Sequence, residues 1–291
     1  MKTNLIFLII FLFFISCSVS EKLLIGGCNW DKVAIVDKKT NTIEWIHQLQ
    51  KGDDCNDVEI TKAGNILYAY KGGARLINKA QEVLWDFKVE KGQELYTATE
   101  LPTGEFMLAA CGIPSRLITL NPKGEKTEEQ NFDSGIANVH GQFRQILPTG
   151  QNTYLVPLMG KSEVIELTKT GEVTRRIKVG GNPFSVKIMR DGNWLVACGD
   201  AHKLVLVDPV NQSIKDSIPA SIVKEASLLF VAEPAQYRNG NIIISNWNGH
   251  SKDKTQPKLV EIDAKNKVVW TLAPSEKIAN ISAVYPFKGK K

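Results

Sequence analysis

The chain has 291 residues, 43% hydrophobic and 23% charged, with a net charge of +5. That balance describes an ordinary globular body. Its basic residues are scattered, the densest group being Lys288, Lys290 and Lys291, which argues for solvated faces and against a nucleic-acid partner. The five cysteines include no C-x-x-C and no Cys–His spacing, so a zinc site is not expected and no cofactor is called for.

The chain opens with Lys2 and an unbroken apolar run from Leu5 to Ile15, which is too short to cross a bilayer and reads as an export signal. Phe14-Ile15-Ser16-Cys17 closes the run and resembles a bacterial lipoprotein cleavage box. The expectation is a signal peptide over 1–16, lipid attachment at Cys17, a tether over 17–21 and one domain over 22–291. The mature protein would then reside in the cell envelope, on the outer membrane or cell surface, held to the membrane by its acyl chains alone.

Within that domain a glycine turn hands over to a short apolar strand five times, at Gly64, Gly104, Gly150, Gly192 and Gly240, with intervals of 40, 46, 42 and 48 residues. Leu-Pro-Thr-Gly occurs twice, at 101–104 and 147–150. A period near 45 residues with several strands in each unit predicts a β-propeller. Four strands fit the first full repeat, at about 55–60, 65–70, 74–78 and 82–88, and further repeats fall at about 94–131, 141–178, 184–218 and 229–272. The N-terminal stretch supplies three strands (23–26, 33–36 and 43–46), and the C-terminal stretch supplies a single strand at 282–287. Together they make a sixth blade that closes the ring and removes its open edges. The prediction is an all-β, six-bladed propeller of four-stranded antiparallel blades. Seven blades would require an irregular stretch such as 219–230 to hide one.

The outer strands carry tryptophan after aliphatic residues, as in Val83-Leu84-Trp85 and Val268-Val269-Trp270, where a wide indole suits a blade-to-blade contact. A strand ending in Asp or Asn, a polar turn and then Val/Ile with Trp is clearest from Leu259-Val260-Glu261-Ile262-Asp263 to Val268-Val269-Trp270. This pattern resembles the PQQ-like repeat propellers and the propeller of bacterial aryl-sulfate sulfotransferases, a likeness spanning nearly the whole mature chain. The resemblance implies the fold more than any activity. A quinone dehydrogenase of that kind would carry an adjacent cysteine pair, and none occurs here.

In a propeller the first strand of each blade begins, and the second ends, on one face, so the loops there surround the central channel and are the place to look for a ligand. Those loops contain Asn29, Trp30, Tyr96, Asn182, Asn246, Trp247, Asn248 and His250. Flat aromatic faces beside amides suit a sugar ring, with C–H groups on its face and hydroxyls at its edge. The competing role for the same residues is to plug the channel and cap turns. His140, at the expected start of an inner strand, is the candidate general base. Asp53, Asp54 and Asp57 offer oxygen ligands of the kind calcium takes, although their spacing also describes a solvated acidic loop. Cys55 falls near the closing blade, within conceivable reach of Cys28 for a disulfide. The leading expectation is a lipid-anchored module that binds a glycan or an envelope protein. The alternative is a propeller enzyme of hydrolase, lyase or sulfotransferase type, working at the channel mouth.

Overall fold

A computed structural model describes residues 20–223 and 225–289, so the expected signal peptide and Cys17 lie outside the described residues. The described residues form six four-stranded antiparallel sheets. Blade 1 contains β1 (Ser20–Gly26), β2 (Lys32–Asp37) and β3 (Thr42–Gln48). Blade 2 runs through β4 (Cys55–Ile60), β5 (Ile66–Tyr70), β6 (Gly73–Ile77) and β7 (Val83–Lys88). Blade 3 has β8 (Glu94–Glu100), β9 (Phe106–Cys111), β10 (Ser115–Leu120) and β11 (Lys126–Phe132). Blade 4 has β12 (Leu147–Pro148), β13 (Thr153–Leu158), β14 (Glu163–Thr168) and β15 (Val173–Lys178). Blade 5 has β16 (Ser185–Ile188), β17 (Trp194–Cys198), β18 (Lys203–Asp208) and β19 (Ser213–Pro219). Blade 6 has β20 (Val231–Gln236), β21 (Ile242–Asn246), β22 (Leu259–Ile262) and β23 (Val268–Leu272), after which β24 (Ala283–Gly289) returns to blade 1.

The expected closure is present. β24 pairs antiparallel with β1 from Ser20↔Gly289 to Gly26↔Ala283 and becomes the innermost strand of blade 1. No seventh blade hides in 219–230. Ala220–Ile222 is a 3-10 turn, and Val223, Ala226, Leu228 and Phe230 are buried. The inner strand of blade 4 is shorter than the repeat suggests, because Val139–Gly141 winds into a 3-10 turn and ordered pairing begins only at Leu147. His140 therefore sits on that turn and not at the start of a strand.

The second strand of each blade reads as a continuous apolar run because it is buried on both sides. Period-two alternation splits each run between two blade junctions. Leu23 and Ile25 pack with Ile243 and Leu259 of blade 6, while Leu24 faces Tyr68 and Ile77 of blade 2. Likewise Leu155 packs towards Val196 of blade 5, and Val156 towards Met107 of blade 3. The hydrophobic core of the described residues is thus a ring of six clusters, one at each junction, with a small seventh of Phe184, Phe230 and Ala232. Trp85 of β7 is buried against Phe106 of the next blade, ring centres 5.1 Å apart, as its sequence position suggests. The turns between third and fourth strands are capped by their own first residue. Asp37 Oδ1 accepts from the amides of Lys39 and Thr40, and Asn121 and Asp208 cap their turns in the same way.

Around the axis, the blades are joined by polar links. The Ala98 amide donates to Asp57 (3.1 Å), Thr97 Oγ1 to the Arg144 carbonyl (2.9 Å) and the Gln145 amide to the Phe184 carbonyl (3.1 Å). Ser185 Oγ donates to the Ala232 carbonyl (2.7 Å), the Val284 amide to Glu233 (2.8 Å) and Ser282 Oγ to the Cys55 carbonyl (3.0 Å). These contacts join blades 2 to 3, 3 to 4, 4 to 5, 5 to 6, 6 to 1 and 1 to 2. Within this hoop, burial and then the neighbouring Glu233 push the Asp57 carboxyl well up. Burial opposes the charge on Lys187, but Glu233, whose Oε1 lies 2.5 Å away, and Asp57 more than offset it and raise the ammonium.

Ile25 is fully buried at the seam where the chain closes on itself. Ile25→Ala is expected to destabilise the protein by about 2–5 kcal/mol in urea unfolding. Val210→Ala, at an 83% exposed turn position, should change stability by less than about 0.5 kcal/mol.

Candidate functional site

The loops at one end of the channel enclose a cup of about 300 Å³. Its walls differ in chemistry. On the side of blades 2 to 4, β8 presents Tyr96, the turn after β5 presents Lys71, and the segment before β12 presents His140 and Arg144, with Glu94 of β8 bonded to Tyr96, Lys71 and His140. On the side of blades 5 and 6 stand Phe184, Phe230, Trp247 and His250 with Asp200. Cys28, Asn29, Asp54, Asn56, Gly141, Met159 and Ser282 complete the lining.

The polar wall is organised around the Glu94 carboxylate. Lys71 Nζ lies 3.0 Å from Glu94 Oε1, His140 Nδ1 lies 2.8 Å from Oε2, and the Tyr96 hydroxyl also donates to Oε2. Burial alone would raise this carboxyl, but the hydrogen bonds from Tyr96, Lys71 and His140 hold it down at about 2. Tyr96 is displaced the other way. Its burial first of all, with the hydrogen bond to Glu94, pushes the phenol well up, so the hydroxyl keeps its proton. Arg144 is buried beneath this wall, with its guanidinium carbon 4.0 Å from the centre of the Tyr96 ring. One guanidinium nitrogen donates to the His140 carbonyl (2.7 Å) and the Phe143 carbonyl (2.9 Å), and the other lies 3.0 Å from His140 Nε2. Arginine can only donate, so Nε2 accepts and the imidazole proton sits on Nδ1, facing Glu94.

The aromatic wall is set by close approach at glycine. A Cβ on Gly199 would lie 2.6 Å from the Phe230 ring, and one on Gly249 only 2.0 Å from Trp247. Both rings occupy their places because those side chains are absent. Phe230 packs edge-on against Phe184 (5.6 Å) and Trp247 (5.1 Å), and Trp247 against His250 (4.7 Å). His250 is fixed by Asp200, Nδ1 to Oδ1 2.8 Å.

The structure brings Asn29, Tyr96, His140, Trp247 and His250 together in this cup and places the other sequence candidates elsewhere. Trp30 is buried between blades 6 and 1, its Nε1 donating to the Lys277 carbonyl (3.1 Å). Asn246 caps the approach to β20 by accepting from the Leu229 amide (2.7 Å), and buried Asn248 accepts from Lys258 Nζ (2.8 Å). Asn182 is exposed and does not line the cup. The three aspartates separate. Asp54 accepts from the Asn29 amide (2.7 Å) at the cup, Asp57 lies on the axis and Asp53 lines neither cavity. Among the described residues no cluster of His, Cys, Asp or Glu is placed to hold a metal. Cys28 and Cys55 are free thiols. Burial, then the Asp54 charge, pushes Cys28 up to about 12, which keeps it protonated.

Sequence reading did not single out Arg144, Phe230, Met159 or Ser282. Arg144 carried one signal, its position four residues after His140. Phe230 carried another, as the last residue of an irregular stretch that leads into an inner strand.

A model of the Mal s 1 allergenic protein-like family matches residues 28–267. The chain belongs to this family. A protein of unknown function from Bacteroides caccae is 40% identical, over 92% of this chain and 99% of that one, with a TM-score of 0.88. A catalytically inactive virginiamycin B lyase from Staphylococcus aureus, solved with quinupristin, is 12% identical over 94% and 93%, with a TM-score of 0.62. The nidogen/laminin complex contains a chain that is 10% identical over 91% and 98%, with a TM-score of 0.68. Likeness at such low identity speaks for the fold alone. No curated protein matches the chain. The PQQ-like resemblance implied a propeller, and the Mal s 1-like chain is one, though the family that matches carries a different description.

The depressed Glu94 value sets a direction for stability. A carboxyl lowered from 4.5 to about 2 favours the folded state once ionised, and this contribution fades as pH falls through that interval. Glu94→Gln should therefore be less stable than the parent above about pH 4.5, with the two curves converging towards pH 2. Urea unfolding across this range measures the difference.

Proposed function

We propose that this protein is an exported, lipid-anchored binding module whose cup takes a carbohydrate. The observation that carries this reading is the division of one 300 Å³ cup into an aromatic wall and a hydrogen-bonding wall. A pyranose has the same division, with C–H groups on its faces and hydroxyls around its edge. Trp247 and His250 offer apolar ring surface on one side. Across the cup, Lys71 supplies donors and Asp54 and Asn29 supply acceptors for hydroxyl groups, and Asp200 adds an acceptor beside His250. The apolar run ending at Cys17 supports export and acylation.

A panel of bacterial and host glycans, followed by titration calorimetry on the best ligand, tests the proposal. Trp247→Ala should weaken binding about tenfold, equivalent to about 1.4 kcal/mol. A panel without any ligand, or unchanged affinity in the variant, removes the carbohydrate reading and leaves an envelope protein as the partner to seek by cross-linking.

One feature favours a catalytic alternative. Glu94 fixes the Nδ1 proton of His140, which is how a carboxylate prepares an imidazole to act as a base through Nε2. That nitrogen faces Arg144, so the base would be released only when a substrate draws the guanidinium away. If turnover of a bound glycan or ester is found, His140→Ala should lower kcat at least about a hundredfold. Unchanged turnover excludes the residue from chemistry.

A further inference from the structure

The face opposite the cup carries a second set of features that binding at the cup does not use. We propose that this underside, centred on the closing blade, is a docking surface for an anionic phospholipid bilayer, so that the cup opens away from the membrane. Three observations lead there. The first is where the chain enters the fold. Ser20 opens β1 on the underside and pairs with Gly289, the last residue of β24. Cys17 precedes Ser20 by three residues, a reach of at most about 10 Å. A lipid at Cys17 would therefore hold this face against the bilayer.

The second observation is charge. The underside turns of blades 6, 1 and 2 present Lys39, Lys79, Arg238, Lys265, Lys267 and Lys288, all exposed and without an ion pair among the described residues. The acids on the same turns are fewer. Asp37 and Asp263 are drawn inward to cap their own turns, the exposed Glu21 and Glu44 are paired with Lys38 and Lys22, and Glu82 is the exposed acid left without an ion pair among the described residues of these turns. The cup mouth, by contrast, mixes Asp54 and Asp200 with Lys71 and Arg144. The third observation is apolar surface among those cations. Two neighbouring grooves of about 470 and 490 Å³ share Phe287 and Lys288. One adds Trp45 and Ile35, the other Tyr237 and Pro286. Aromatic residues ringed by lysine suit the headgroup region of an anionic membrane.

This inference depends on the charge and shape of the underside and is tested without the lipid. The ring of strands lies wholly within residues 20–289, so a chain beginning at Ser20 retains every blade. Sedimentation with phosphatidylcholine vesicles, with or without phosphatidylglycerol, compares three proteins of that length. The parent should bind only the vesicles containing phosphatidylglycerol, and binding should fall at high salt. A variant carrying Lys39→Glu, Lys79→Glu, Lys265→Glu and Lys288→Glu should lose at least about tenfold in partition. A second variant of equal net charge, reversed on the cup side at Lys51, Lys91, Lys252 and Lys277, should bind as the parent does. Absence of parental binding, equal binding to neutral vesicles, or equal loss in the two variants overturns the proposal. None of these outcomes bears on glycan affinity, so the failure of one reading is separable from failure of the other.

Discussion

The pairing of β24 with β1 is the constraint on which the molecule depends. Each blade buries both faces of its second strand, so an unclosed array would leave two apolar faces in water, one at each end. Joining the last strand to the first replaces those faces with a sixth junction built from Leu23, Ile25, Ile243 and Leu259. The polar hoop at the axis then fixes the phase of the blades. Each blade shares a hydrogen bond with the next near the axis, and register at one junction limits register at its neighbours. Packing supplies most of the stability and the hoop supplies geometry. Glu233 belongs to both, because it receives the Val284 amide of the closing strand while paired with Lys187.

The cup follows from that frame. Inner-strand starts from different blades converge at one mouth, which is how residues as far apart as Asn29 and His250 come to line a single cavity. The aromatic wall exists because Gly199 and Gly249 leave room for Phe230 and Trp247. The polar wall exists because β8 and the segment before β12 belong to adjacent blades, which sets Glu94 opposite His140. Such a site is preorganised, since its side chains hold one another before any ligand arrives. Glu94 stays anionic through hydrogen bonds, and the buried Arg144 guanidinium is held by two carbonyls and a ring face.

Much of the fold was legible in the sequence, because a propeller writes its period openly. Glycine turns spaced by 40 to 48 residues, the incomplete first repeat and the lone last strand together specified six closed blades. The site was only partly legible. Position on the right loop brought Asn29, Tyr96, His140, Trp247 and His250 into the candidate set, but loop position does not say which way a side chain turns. Trp30 and Trp247 sit at equivalent places in neighbouring blades, yet one enters a blade junction and the other the cup. The difference lies in what each packs against, Ile278 and Ile281 for the first and Phe230 for the second. Arg144 was invisible for a different reason. A buried arginine far from any acid in the sequence gives no sign of its partners until the chain has folded.

The axis itself has a consequence for traffic. Gln145 Nε2 donates to the Asn56 carbonyl (2.9 Å) and to Glu233 (3.0 Å), which places a buried amide between the cup and the smaller cavity beyond it. Although the architecture is annular, this bar makes the upper recess a blind well. A guest too large to pass that bar leaves by the door it came in.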